Sequence, residues 1–110
     1  MYSKDYGQIF ATDYLGIGGR IESGWFDDSW EVFDMFLKII TDQQIDLYIY
    51  RRDSELVEDS GQMIGSQSTT ATYQTLMTGM RTGYSFKIVG VNNSGMNINN
   101  LKVRLSVAGN

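Results

Sequence analysis

Apolar and polar residues alternate in four separate runs of the chain, at residues 36–41, 45–50, 84–90 and 101–107. Alternation is the pattern of a β-strand that buries one face and leaves the other face in water. The last run is the most regular, because every second residue is apolar: Leu101, Val103, Leu105 and Val107. We therefore predict a half-buried strand at each run.

The run at residues 45–50 has aliphatic side chains on one face and tyrosines on the other. Leu47 and Ile49 share the first face, and Tyr48 and Tyr50 share the second. Aliphatic side chains are more often fully buried than tyrosine. We therefore expect Leu47 and Ile49 to face the core, which leaves Tyr48 and Tyr50 partly exposed.

A helix is the competing interpretation for residues 30–40. The apolar residues of this segment do not fall on a single helical stripe. Three aromatic residues within seven positions, Trp30, Phe33 and Phe36, favour a strand. We therefore predict a strand over residues 34–40.

Clusters of Gly, Asn, Asp and Ser separate the strand signals. They lie at residues 16–19, 27–29, 51–54 and 92–95. Short strands that are punctuated in this way are typical of antiparallel sandwiches. The predicted fold is all-β, an antiparallel β-sandwich of about eight strands that forms a single domain over residues 1–110.

The segment of residues 60–74 is polar and rich in Ser, Thr, Gln and Gly. Such a composition could belong to a linker between domains. In a chain of 110 residues, a plain connection that contains one weak strand, over residues 69–73, is the better prediction.

The composition agrees with one globular domain and excludes several kinds of chemistry. Hydrophobic residues make up 42% of the chain and charged residues 20%, and Cys, His and Pro are all absent. No disulfide, no zinc site built on Cys or His, and no Ser-His-Asp or Cys-His catalytic group can form within this chain. Catalysis would have to rely on carboxylates, Lys, Tyr or a bound metal.

The charge balance bears on the partners. Asp and Glu number 13 against 9 Lys and Arg, for a net charge of −4, which argues against nucleic acid as a partner. No stretch approaches the roughly 20 apolar residues of a membrane helix, so no membrane partner is expected. The first residues lack the pattern of a secretory signal.

The order of the strand signals carries a resemblance. An opening around Asp5 is followed by the glycine-rich stretch 15–24 and by a strand that starts at Asp34. Residues 46–50 then read Asp-Leu-Tyr-Ile-Tyr, and residues 76–88 have the Leu, Gly and Tyr spacing of a hairpin. In this order and spacing the chain resembles the bacterial pre-peptidase C-terminal domain family, from about residue 5 to residue 107.

This resemblance implies a jelly-roll-like sandwich without catalytic activity, so we do not expect an enzyme. It implies an accessory module of a secreted or cell-surface bacterial protein, which binds a parent enzyme to a polymeric extracellular substrate such as collagen or a polysaccharide. The other partners it implies are the parent enzyme domains of a longer chain. Two alternatives stay open: a structural spacer or folding module without a ligand, and a stand-alone carbohydrate-binding module.

Four carboxylates lie close together in the sequence: Asp27, Asp28, Glu31 and Asp34. Carboxylate oxygens are the ligands that calcium prefers, although the spacing is not that of an EF-hand loop. The alternative is a solvated turn whose Asp side chains cap backbone groups, and the sequence favours it. Calcium is the one possible cofactor.

Aromatic residues form the candidate binding site. The set consists of Tyr48, Tyr50, Tyr84 and Trp25, with Trp30 and Tyr73 as possible neighbours. Exposed aromatic rings offer a large, rigid surface at low entropic cost, and could stack on sugar rings or along a fibrous peptide. The alternative is that cross-strand tyrosines only stabilise the sheet. No pair of carboxylates stands out as catalytic.

Overall fold

The described residues form eight β-strands, the number predicted for the sandwich, and four of these strands cover the alternating runs. A computed structural model describes residues 2–26, 32–52, 62–69, 73–79 and 85–109. The strands are β1 (Tyr2–Thr12), β2 (Arg20–Glu22), β3 (Val32–Thr41), β4 (Asp46–Arg52), β5 (Gln62–Ser68), β6 (Tyr73–Gly79), β7 (Ser85–Val91) and β8 (Leu101–Gly109). Within these ranges no helix is long and apolar enough to cross a membrane.

The strands form two four-stranded antiparallel sheets. The first sheet has the order β1-β8-β3-β6 and the second has the order β2-β7-β4-β5. Strand β1 therefore lies beside β8, β2 beside β7, β3 beside β6 and β4 beside β5. The chain thus forms one long hairpin whose turn lies between β4 and β5. This hairpin is rolled up so that its strand pairs are divided between two sheets, which is the topology of a jelly roll. The predicted fold class is confirmed.

The two sheets bury their facing side chains against each other. The core cluster consists of Phe10, Leu15, Met35, Leu37, Ile39, Ile45, Leu47, Ile49, Phe86, Ile88, Ile98, Leu101, Val103, Leu105 and Val107. Within β8 the predicted inward face is confirmed, because Lys102 and Arg104 are exposed between buried neighbours. A Cβ at Gly90 would lie 2.9 Å from Ile45 Cδ1, so a larger residue at this position would displace the end of the Ile45 side chain.

The polar segment after residue 60 departs from the prediction. It contains all of β5 and the first two residues of β6, whereas we predicted a single weak strand over residues 69–73. Strand β5 is polar because it lies at the edge of the second sheet, where its exposed residues meet water. Backbone hydrogen bonds to β4 hold it in place, and they do not require apolar side chains.

The prediction of a hairpin across residues 76–88 is also wrong. Strand β6 pairs with β3 in the first sheet, whereas β7 pairs with β2 and β4 in the second. The chain therefore crosses between the two sheets after β6, as the wrapping of a jelly roll requires. The spacing of residues 76–88 resembles that of a hairpin because β6 and β7 are both short strands. Short strands flank a crossing between sheets as well as the turn of a hairpin.

Candidate functional site

The outer face of the second sheet carries the predicted tyrosines. Leu47 and Ile49 are buried at 1% and 3% exposure, so their predicted position in the core is confirmed. Because side chains alternate along a strand, Tyr48 and Tyr50 point to the opposite, outer face, where both are half-buried.

Trp25 joins this face because its neighbour Phe26 is anchored in the core. The backbone of Phe26 pairs with that of Phe86 in both directions, at 2.8 and 3.2 Å. The Phe26 ring also lies 5.0 Å from the Phe86 ring, between centroids. With Phe26 turned inward, the adjacent Trp25 contacts two cations of the second sheet, Arg52 and Lys87.

Those two cations tie the aromatic side chains together. Arg52 Cζ lies 4.5 Å from the centroid of the Trp25 ring. Lys87 Nζ lies 4.9 Å from the Trp25 centroid and 5.5 Å from that of Tyr50. All three distances are within the range of cation–π attraction. We call Trp25, Tyr48, Tyr50, Arg52 and Lys87 the aromatic face.

Register explains why Lys87 occupies this place. Lys87 on β7 lies directly opposite Tyr50 on β4, and Val89 lies opposite Tyr48. Val89 is fully buried although it belongs to the outer face and not to the core cluster. Val89 is therefore covered from the outer side, and we call the surface that the aromatic face forms here the platform.

Polar groups border the platform on two sides. Glu22 Oε1 accepts hydrogen bonds from Lys87 Nζ at 2.8 Å and from Arg20 Nη2 at 3.3 Å. At the far end of β4, Asp46 accepts hydrogen bonds from the side chains of Ser68 and Asn93. An aromatic platform with a polar border can stack on the rings of a sugar chain and hydrogen-bond its hydroxyl groups.

Contact with Lys87 lowers the pKa of Glu22, chiefly through the hydrogen bond between them, with a smaller contribution from Arg20. The stabilisation from this contact is present above the unfolded-state pKa, near 4.5, and is lost as the pH falls through the lower folded-state pKa. It should amount to a few tenths of a kcal/mol, because the Glu22 side chain is 41% exposed.

We expect Lys87→Met to raise the pKa of Glu22 towards its ordinary value, as measured by NMR titration of the side-chain carboxyl. The control is Lys102→Met, which removes the same charge from the other sheet. If the pKa of Glu22 is unchanged in Lys87→Met, the hydrogen bond from Lys87 is not what lowers that pKa.

The other predicted residues are only partly placed. Asp27, Asp28, Glu31, Trp30 and Tyr84 lie outside the described residues. The calcium site that depends on three of them therefore stays a prediction, and in the described ranges no three acidic residues are grouped to hold a metal.

Two further predicted residues lie away from the aromatic face. Asp34 is half-buried on β3, opposite Ala108 of β8, in the first sheet. Tyr73 begins β6 at the edge of the same sheet, so it does not join Tyr48 and Tyr50. Neither residue is part of the platform.

Sequence reasoning missed the charged members of the site. Arg52 falls within the turn cluster predicted at residues 51–54, but it belongs to β4 and contacts Trp25. Lys87 and Glu22 come from two different strands and meet only through β-pairing. The one signal in the sequence was alternation, which places Lys87 on the face opposite Phe86 and Ile88.

By sequence, the chain matches no family model and no curated protein. By structure it is similar to the PBSX exported protein XepA, with a TM-score of 0.70 and 11% identity over 99% of this chain. It spans only 37% of the length of XepA. It is also similar to PirA, with a TM-score of 0.61 and 12% identity, over 98% of this chain and 94% of PirA.

Carbohydrate-binding modules are among the similar structures. A family 29 module has a TM-score of 0.57 and 11% identity, over 98% of this chain and 86% of the module. The module TmCBM61, solved with β-1,4-galactotriose, has a TM-score of 0.52 and 9% identity, over 88% of this chain and 68% of the module. At such identities the likeness establishes the fold: the chain has the β-sandwich that these modules also have.

Proposed function

We propose that this chain is a non-catalytic carbohydrate-binding module, which holds a polysaccharide against the aromatic face. The observation that carries the proposal is the platform itself, on which Trp25 lies beside two cations next to Tyr50. Ring faces of Trp and Tyr stack on the apolar faces of sugar rings, and the bordering charges hydrogen-bond the hydroxyl groups.

The carboxylates on this face suit binding better than catalysis. Glycoside hydrolysis uses a pair of carboxyl groups, one of which stays protonated through a raised pKa. Glu22 has the opposite shift, so it stays ionised at neutral pH and acts as a hydrogen-bond acceptor. The oxygens of Asp46 are already occupied by Ser68 and Asn93.

The comparisons support the same class of ligand. Ligand recognition in the family 29 module has been probed by substituting a lysine, an arginine and an aspartate. The aromatic face combines two of these chemical types, in Lys87 and Arg52. The TmCBM61 structure holds a galactose trisaccharide, which makes β-1,4-galactan one useful test ligand.

The resemblance to the pre-peptidase C-terminal domains refines this proposal. If the chain is such a domain, the module would belong to a longer secreted protein and would keep an enzyme near its substrate. The carbohydrate-binding role does not depend on that refinement, because all five residues of the aromatic face belong to this chain.

Trp25→Ala should weaken polysaccharide binding about 30-fold, since buried Trp anchors contribute about 2 kcal/mol or more to an interface. Affinity gel electrophoresis against β-1,4-galactan, mannan, cellulose derivatives and soluble chitin would measure it. Tyr50→Ala should have a smaller effect, because tyrosine offers less stacking area.

The matched control is Tyr14→Ala, which removes a 60% exposed tyrosine from the loop after β1 and should leave binding unchanged. Near-ultraviolet circular dichroism checks that each variant is folded. If the wild-type protein binds none of these polysaccharides, the structural-module alternative is favoured. If Trp25→Ala binds as well as the wild type, the ligand lies elsewhere.

A further inference from the structure

The outer face of the first sheet lies on the opposite side of the sandwich from the aromatic face, and it carries a groove. One part, of about 360 Å³, is lined by Asp5, Phe36, Lys38, Arg104, Leu105 and Ser106. The adjoining part, of about 200 Å³, is lined by Gln8, Lys38, Ile40, Lys102 and Arg104. Both parts share Lys38 and Arg104, so they form one surface. We call it the basic groove.

Three cations are gathered here by strand register. Lys38 on β3 lies directly opposite Arg104 on β8, and Ile40 lies opposite Lys102. Like charges placed directly across a strand pair destabilise the sheet. The fold therefore gains nothing from this arrangement, in a chain whose net charge is −4.

The carboxylates nearby do not neutralise these cations. Asp5 lines one end of the groove, but its Oδ1 accepts a hydrogen bond from the backbone N–H of Gly7 at 2.8 Å. Asp42, which follows β3, accepts hydrogen bonds from the backbone N–H groups of Asn99 and Asn100. Within the described ranges no carboxylate forms an ion pair with the three cations of the groove.

Apolar surface lies beside the charges. Ile40 is 39% exposed, and Phe36 is half-buried in the same groove. A ligand that fits must therefore carry negative charges at intervals along an otherwise amphipathic body. Sugar rings that bear carboxylate or sulfate groups have this character.

We propose that the basic groove binds an anionic polysaccharide through its carboxylate or sulfate groups. Lys38, Lys102 and Arg104 bind the anionic groups, and Phe36 and Ile40 contact the sugar rings. Duplex DNA fits less well, because its phosphates follow one another about every 1.7 Å along the axis and its bases are stacked inside the helix, out of reach of Phe36 and Ile40. This site is separate from the aromatic face and goes beyond the carbohydrate-binding function proposed above.

Affinity electrophoresis of the full chain against polygalacturonate, heparin, neutral β-1,4-galactan and a DNA duplex tests the proposal. Retardation by polygalacturonate identifies a carboxylate ligand, and retardation by heparin a sulfate ligand. Arg104→Gln should weaken this binding about tenfold, the usual effect of removing a hydrogen bond to a charged group. Raising the salt concentration from about 0.1 M to about 1 M should also weaken the binding of the acidic polymers, because the Debye screening length then falls to about 3 Å.

Two controls separate this site from the rest of the protein. Arg20→Gln removes one positive charge from the second sheet and should leave binding of the acidic polymer nearly unchanged. Trp25→Ala should lose neutral polysaccharides and keep the acidic one, so the two proposals fail independently. The free energy of unfolding of Arg104→Gln should not decrease, because the substitution relieves repulsion with Lys38.

Three results would overturn the proposal. Neither acidic polymer is bound, or Arg20→Gln weakens their binding as much as Arg104→Gln does, or the DNA duplex is bound as tightly as the acidic polysaccharides. The last result would indicate a general polyanion surface.

Discussion

Phe86→Ala is expected to lower the free energy of unfolding by about 3–5 kcal/mol, the usual cost of truncating a buried phenylalanine. Phe86 is fully buried. Its ring lies 5.0 Å from the Phe26 ring and 6.2 Å from the Tyr6 ring, between centroids. Removing it leaves a cavity where the two sheets meet. Since domains are stable by only about 5–15 kcal/mol, this is a large fraction of the total.

Urea denaturation followed by tryptophan fluorescence would measure the loss. Phe86→Leu is the matched variant, because it keeps most of the apolar volume and loses the ring contacts, with an expected decrease of about 1–2 kcal/mol. Equal losses in the two variants would mean that cavity volume does not determine the effect. A loss below about 1 kcal/mol in Phe86→Ala would mean that this end of the core is not tightly packed.

The consequence for function follows from the backbone bridge between Phe26 and Phe86. The position of Trp25 depends on this bridge, so loosening the aromatic cluster loosens the platform. Phe86→Ala should therefore also weaken polysaccharide binding, even though Phe86 lies inside the core and does not reach the ligand.

Asn92→Ala is expected to cost about 3 kcal/mol, through loss of hydrogen bonds and not of apolar burial. Asn92 is fully buried in the loop after β7. Its Nδ2 donates to the carbonyl oxygens of Leu15 at 2.9 Å and of Met96 at 2.8 Å. Its Oδ1 accepts from Ser94 N at 3.1 Å and from Ser94 Oγ at 2.7 Å. Each buried polar group left without a partner costs about 1–3 kcal/mol.

The loss should be local as well as global. Asn92 joins the loop after β1 to the loop before β8, where Leu15 and Ile98 exchange backbone hydrogen bonds at 2.8 and 2.9 Å. Hydrogen exchange at these two amides should accelerate in Asn92→Ala more than at amides in mid-strand. Asn92→Asp should be destabilised too, because a carboxylate cannot donate to the carbonyl of Leu15.

The neighbouring residue provides the control for this experiment. Asn93 is exposed and hydrogen-bonds Asp46 at the surface, so Asn93→Ala should change stability by about 0.5 kcal/mol or less. If Asn92→Ala and Asn93→Ala have equal effects, the buried hydrogen bonds of Asn92 do not hold the two loops together.

The two proposed surfaces would give the sandwich two different binding faces. The aromatic face belongs to the second sheet and the basic groove to the first, so one chain could contact neutral and acidic polymer strands at once. If both faces bind, one chain should cross-link a neutral polymer to an acidic polymer. Once the first polymer is bound, a neighbouring strand of the second polymer is present at a high effective concentration.

The sequence by itself determined which face is buried in the two most regularly alternating strands, β4 and β8. Alternation follows directly from the two-residue period of a strand, and it correctly placed Leu47 and Ile49 inside and Tyr48 and Tyr50 outside. It also excluded the chemistry of Cys and His outright. These inferences succeed because they depend only on neighbours within one strand.

Only the tertiary structure decided which strands lie side by side. Pairing between β4 and β7 placed Lys87 opposite Tyr50, and the bridge to Phe86 turned Trp25 outward. Backbone pairing with β4 made a strand of the polar segment Gln62–Ser68. The period of a strand fixes the face on which a side chain lies, but its partner across the sheet is set by contacts between residues far apart in the chain, and the local sequence does not encode them.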